Sequence, residues 1–181
     1  FSKIAEVGPG DSIGVGLLAL LLGVEKYYAF DVVRFANVKK NLQIFYQLID
    51  LLKKREKIPN YKEFPKINPF LNNYDFPYQI YSNEYLDFCL KEERIKKIEF
   101  SILNQNIKDS LIYYYNDKDI FNNKVQRDTM DLIFSQATME HVDDISFHYK
   151  SMQKLLKKEG LISHSIDFRC HGYASHWDKH W

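Results

Sequence analysis

The sequence predicts an α/β fold built on a doubly wound, mainly parallel sheet with helices on both faces. Three observations carry that expectation. Residues 3 to 31 run through a short apolar segment (Ile4, Ala5, Val7), a glycine pair (Gly8, Gly10) and a helical repeat (Ile13, Leu17, Leu18, Leu21, Leu22). A second apolar segment, Tyr27 to Phe30, then ends at Asp31, which lies 21 residues beyond Gly10. Strand, glycine turn, helix, strand and acid in that order form the ribose-binding half of a doubly wound sheet. Further on, Asp131 to Phe134 is nearly all apolar, as a central parallel strand covered on both faces should be. Amphipathic stretches alternate with these strands and supply the crossovers that parallel pairing requires.

The chemistry of the first turn follows from spacing and charge. Gly8 and Gly10 leave bare backbone where the chain turns and a ligand can approach closely. A dinucleotide site of the form G-x-G-x-x-G needs its third glycine at Ile13, and Gly14 comes one position late. Glu6 and Asp11 flank the turn, and two carboxylates there oppose a pyrophosphate by several kcal/mol at an effective dielectric of about 20. They favour a cation. S-adenosylmethionine carries an ammonium and a sulfonium and no phosphate, and it is the cofactor this stretch fits best.

Three segments carry a family resemblance. Glu6-Val7-Gly8-Pro9-Gly10, with Asp31 ending the next strand, resembles motif I and the acidic loop of class I S-adenosylmethionine-dependent methyltransferases. Asp131 to Val142 resembles the fourth strand and following loop of that family. Ser163 to His171 is similar to a segment in a poorly characterised bacterial subgroup. The resemblance spans most of the chain apart from roughly residues 55 to 108. It implies a Rossmann-like sheet and methyl transfer from S-adenosylmethionine. Gly8 and Gly10 would admit the methionine moiety, Glu6 would hold its ammonium, and Asp31 would take both ribose hydroxyls. An acid after the third strand, Asp117 or Asp119, would meet the adenine amino group; a plain polar turn is the alternative there.

Composition sets the outer bounds. The chain has 181 residues, 45% hydrophobic and 27% charged, which suits a single globular domain over 1–181. A net charge of +1 gives no bulk attraction to nucleic acid, so a small-molecule or saccharide acceptor is the expected partner. Cys89 and Cys170 make no disulfide framework, and a cytoplasmic setting is expected. Val15 to Val24 is half the length of a membrane span and is broken by Gly16 and Gly23. The start at Phe1 and the stop at Trp181, soon after the expected fifth strand, suggest a fragment lacking the last strands of such a domain. Nothing in the sequence bears on oligomeric state.

In chain order, a long helix is expected from Ala36 or Asn37. Its apolar stripe is Val38, Leu42, Phe45, Ile49 and Leu52, its basic end Lys53-Lys54-Arg55, and Pro59 stops it. Prolines and aromatics interleave over 58 to 81, and with the helical stretch that follows from Ser82 they form an insertion at 58–108 between the second and third strands. It reads either as an irregular surface segment or as a lid. Leu86 and Leu90, then Ile95, Ile98 and Ile102, predict one broken or two short helices. Leu111 to Tyr115 reads as the third strand from its β-branched and aromatic content. Ser135 and Gln136 emerge from the fourth strand on the edge where open sheets bind ligands, and Glu140-His141 follow. A helix from Ile145 is expected to reach a cap at Gly160, with Leu161 to Ile166 as the fifth strand.

The last 18 residues hold His164, His171, His176 and His180 beside Asp167. No H-E-x-x-H or paired-cysteine spacing is present, so no metal is assigned. Two readings stand: a histidine and carboxylate deprotonating the acceptor, with His171, His164 and Asp167 as candidates in that order and His141 as a fourth, or an Asp-His pair fixing a turn. Two rivals to methyl transfer also stand. One is a non-catalytic nucleotide-binding module of the same fold; the other is an NAD-dependent oxidoreductase.

Overall fold

Lys3–Val7 (β1) forms the middle of a five-stranded, all-parallel sheet in the computed structural model, which describes residues 1–63, 70–116 and 125–168. β1 pairs on one side with Lys26–Asp31 (β2) and on the other with Met130–Gln136 (β4). Ile112–Asn116 (β3) lies outside β2, and Leu156–Ser165 (β5) lies outside β4. The order β3-β2-β1-β4-β5 means that the chain builds outward from β1, then returns to β1's other edge. Neighbouring connections at β1 and β4 therefore leave in opposite directions, and a crevice opens between their carboxyl ends.

The alternation of side chains along the strands divides the interior in two. One face presents Ile4, Tyr27, Ala29, Ile112 and Tyr114 to Gly14–Leu21 (α1), Val38–Lys54 (α2), Asn83–Cys89 (α3) and Glu92–Leu103 (α4). The opposite face presents Ala5, Val7, Tyr28, Phe30 and Ile133 to Met152 and Leu155 of Ile145–Leu155 (α5). The sheet is thus covered by helices on both sides, a Rossmann-like α/β arrangement. No helix among the described residues is long and apolar enough to cross a membrane.

Local sequence explains most of these elements. Asn37 caps α2 by accepting from Lys40 N–H at 2.9 Å, and Ser82 caps α3 through Tyr85 N–H at 3.2 Å. The helical stretch after Ser82 divides into α3 and α4, with α4 packing on α1, α2 and β3. The start of α1 has no side-chain cap of its own. Instead the Ile13 N–H donates to Oδ1 of Asn41, a buried residue inside α2, at 3.1 Å. At the other end of α1, Arg94 of α4 donates to the Leu20 carbonyl (2.8 Å) and the Val24 carbonyl (2.7 Å). Both ends of α1 are satisfied by groups far away in sequence.

The basic run ends α2 as expected: the helix reaches Lys54, before Pro59, and closes at Arg55, which adopts a left-handed conformation with φ 53°. Its guanidinium donates to the Leu52 carbonyl (2.7 Å), to Asn83 Oδ1 (3.1 Å) and to Asp87 (2.8 Å), tying α2 to α3. Arg55→Ala should cost about 2 kcal/mol through the lost charged hydrogen bonds, a Tm drop of roughly 4–8 °C by circular dichroism. An unchanged Tm would show that helix packing alone holds this junction.

One boundary differs from expectation: α5 ends at Leu155 rather than near Gly160, and β5 starts at the next residue. Strand pairing wins here because Leu156 pairs with Met130, and a register shift then absorbs Lys157 to Gly160 before Leu161 pairs with Leu132. Asp131 holds this end of the sheet. It accepts from Lys157 Nζ (2.5 Å) and from the backbone N–H groups of Ser2 (2.6 Å) and Lys3 (2.8 Å). Those contacts outweigh its own desolvation and lower its pKa to about 2.

Candidate functional site

The crevice at the carboxyl ends of β1 and β4 is a cavity of about 420 Å³ lined by Glu6, Gly8, Pro9, Gln136 and the first turns of α1. Its floor is backbone. Gly8 has φ +69°, a conformation that side chains disfavour, and its N–H donates to the Phe30 carbonyl at 2.8 Å. Thr138 sits directly over it, its hydroxyl 3.3 Å from the Gly8 carbonyl and 3.0 Å from that of Gln136. A methyl group on Gly8 would overlap the Thr138 side chain. Beside Thr138, Ala137 also has a positive φ, 47°, at the tip of β4. Gly10 has φ +69° with open space where a side chain would stand.

Glu6 is the ionisable group of this lining, only 5% exposed. Burial dominates its titration and raises its pKa to about 7; the Tyr27 hydroxyl opposes the rise, and the charge of Asp31 adds to it. That hydroxyl donates to Glu6 Oε2 at 2.5 Å. The parallel register sets Glu6 opposite Ala29, so Tyr27 lies two residues back on the same face of β2. Burial, reinforced by Glu6, pushes the Tyr27 phenol well above its ordinary value, so it stays a donor.

Asp31 closes β2 and is buried, with Oδ1 accepting from Val32 N–H at 2.8 Å and Oδ2 lying 3.4 Å from the Tyr114 hydroxyl. Burial, with Asp31 beside it, raises the Tyr114 phenol to about 12. Two acids, each with its own tyrosine, thus stand at neighbouring strand ends. Asp11 does not join them. It pairs with Lys40 of α2 on the exposed side of the turn.

The β4–β5 side is organised differently. Ser135 Oγ lies 2.7 Å from His164 Nδ1, and the edge of His164 meets the Tyr149 ring of α5. Burial lowers the pKa of His164. Neither residue lines the crevice, whereas the adjacent Gln136 does. The Asp167 N–H donates to Glu140 Oε1 at 3.3 Å, joining the end of β5 to the 3-10 turn Met139–His141, on which His141 is exposed. Asp117, Asp119, Cys170, His171, His176 and His180 lie outside the described residues. Among the described residues no cluster of three or more metal-ligating side chains occurs.

No protein-family model matches the sequence, and no curated protein matches it. The chemistry therefore has to be read from the crevice. A carboxyl with a pKa near neutrality, opening on a crevice whose described lining holds no cation, suits a cationic amine with a compact body. It does not suit a diphosphate. Of the residues expected from the sequence, Glu6, Gly8 and Gln136 line the crevice, whereas Gly10, Asp31 and Ser135 are not in its lining. The positions of Tyr27, Tyr114 and Thr138 beside these residues were not expected. The available signal for Tyr27 was its place two residues before Ala29 in the strand that pairs with β1.

Proposed function

We propose that this chain is an S-adenosylmethionine-dependent methyltransferase domain of the class I type, acting on a small-molecule or saccharide acceptor. The observation that carries the proposal is the buried Glu6 carboxylate opening on the crevice beside Gly8, at the point where the strand order reverses. Glu6 would take the ammonium at the methionine end of the cofactor, beside the Gly8–Gly10 turn. Asp31 would take the ribose hydroxyls. The bound cofactor would supply an electrophilic methyl group on sulfur. The protein's part is then to hold the acceptor's nucleophile in line with that group, about 3–3.5 Å away. Segment 58–108 would act as insertion or lid, and a cytoplasmic setting remains the expectation.

A non-catalytic nucleotide-binding module is the second reading. It draws on the fact that Glu6 is the only ionisable residue lining the crevice among the described residues, so no separate base stands there. Calorimetry with S-adenosylmethionine, S-adenosylhomocysteine and NAD separates the cofactor classes. The first two should bind and NAD should not. Asp31→Ala should weaken both by about ten- to a hundredfold, the worth of a charged hydrogen bond. Tighter binding of NAD would replace the proposal with an oxidoreductase, and binding of none of the three would remove both. Turnover on trial acceptors then distinguishes enzyme from module.

A further inference from the structure

A second cavity, of about 700 Å³, adjoins the crevice across the shared walls of Leu18 and Leu48. Its other apolar walls are Leu51 and Leu52 of α2, then Ile58 and Pro59 in the chain that follows. Tyr74 completes the lining, held in place by the Ile58 N–H, which donates to the Tyr74 carbonyl at 2.8 Å. Leu51 is 44% exposed, a large apolar side chain left open on this wall. The polar lining is Glu56, Lys57, Asn60 and Glu63. Lys57 is paired with Asp75 at 2.8 Å and Lys54 with Asp50 at 2.6 Å, so among the described residues the lining's remaining charge is that of the exposed Glu56 and Glu63, the latter accepting from the Asn60 N–H at 2.9 Å.

Cavities of this size with apolar walls and a few polar groups suit small organic ligands. Leucine walls would desolvate a sugar's hydroxyls without replacing their hydrogen bonds. A carboxylate head group would be repelled by Glu56 and Glu63, and an ammonium attracted. We propose that this cavity binds a small amphipathic amine, its apolar chain or ring against Leu18, Leu48, Leu51 and Ile58 and its ammonium beside Glu56 and Glu63. The inference does not depend on the methyltransferase reading, because the site needs no cofactor to be measured.

Decylamine and decanoate, both below their micelle-forming concentrations at pH 7, are the probes for calorimetry on the protein alone. Decylamine should bind saturably at one site, and decanoate at least about fivefold more weakly, the scale of an exposed charge contact. Glu56→Gln with Glu63→Gln should abolish that discrimination while leaving circular dichroism unchanged. Leu51→Trp, which fills the cavity from its exposed side, should weaken decylamine by about tenfold, equivalent to excluding roughly two methylenes. Equal binding of amine and carboxylate would overturn the proposal, as would decylamine binding that ignores both changes. No saturable uptake, with a hydrodynamic size that grows with concentration, would assign the cavity to a second copy of the chain instead.

Discussion

Between pH 5.5 and 7.5 the protein should lose about 2 kcal/mol of folding stability while its affinity for S-adenosylmethionine rises by about 25-fold. Both trends come from Glu6. Its folded pKa of about 7 lies above the ordinary 4.5, chiefly because the carboxyl is buried. In that interval the folded state keeps a proton that the unfolded state has released. Stability therefore falls as pH rises through the interval, and the loss is complete above the folded pKa. Binding moves the other way, because only the ionised carboxylate attracts an ammonium. Thermal melts of the free protein should drop by roughly 4–8 °C across the interval, while calorimetry tightens.

Glu6→Gln should flatten both profiles and leave affinity about ten- to a hundredfold weaker at pH 7.5, the cost of a lost charged hydrogen bond. The tyrosine that faces Glu6 and the neighbouring Asp31 remain in that variant, so they cannot supply the missing slopes. If the stability slope survives the substitution, the titrating group lies elsewhere. If affinity is unchanged, Glu6 does not hold the ammonium.

Gly16→Ala should destabilise the protein by about 2 kcal/mol, although alanine is the better helix former by about 1 kcal/mol. Gly16 is buried in α1, and a methyl group there would overlap the ring of Tyr27. That ring is fully buried in the core and its hydroxyl is bonded to Glu6. It has no free direction in which to move. Displacing it should also loosen the bond to Glu6, which raises the carboxyl's pKa further and weakens cofactor binding at pH 7. A double-mutant cycle isolates the overlap: in a Tyr27→Leu background the glycine change should cost little or stabilise α1. Additive effects of the two changes would show that the ring and the glycine do not constrain each other.

How much of this was legible in the sequence depends on the range of the interactions involved. The β1–α1–β2 unit, the N-terminal caps at Asn37 and Ser82 and the apolar β4 strand are written in local period and capping chemistry. Each was readable without the rest of the chain. The basic end of α2 was readable too, but not the bonds by which Arg55 ties it to α3. The end of α5 was not readable, because Leu156 leaves the helical pattern for the strand that Met130 offers it. At the crevice, Glu6, Gly8 and Gln136 follow from position at strand ends. The pairing of Ser135 with His164 follows only from the β4–β5 register, which turns both toward α5 and away from the crevice.

For the opening stretch, Lys3 to Asp31, the sequence alone determined a parallel α/β unit with two acids and a flexible turn at one edge. It also weighed against a diphosphate through the displaced third glycine. Tertiary structure decided which acids count. Asp11 pairs outward with Lys40, while Glu6 is drawn inward, bonded to Tyr27 and moved to a pKa near neutrality by burial. A carboxylate's charge is set by its solvation and its neighbours, and both are supplied by residues that only the folded sheet brings together.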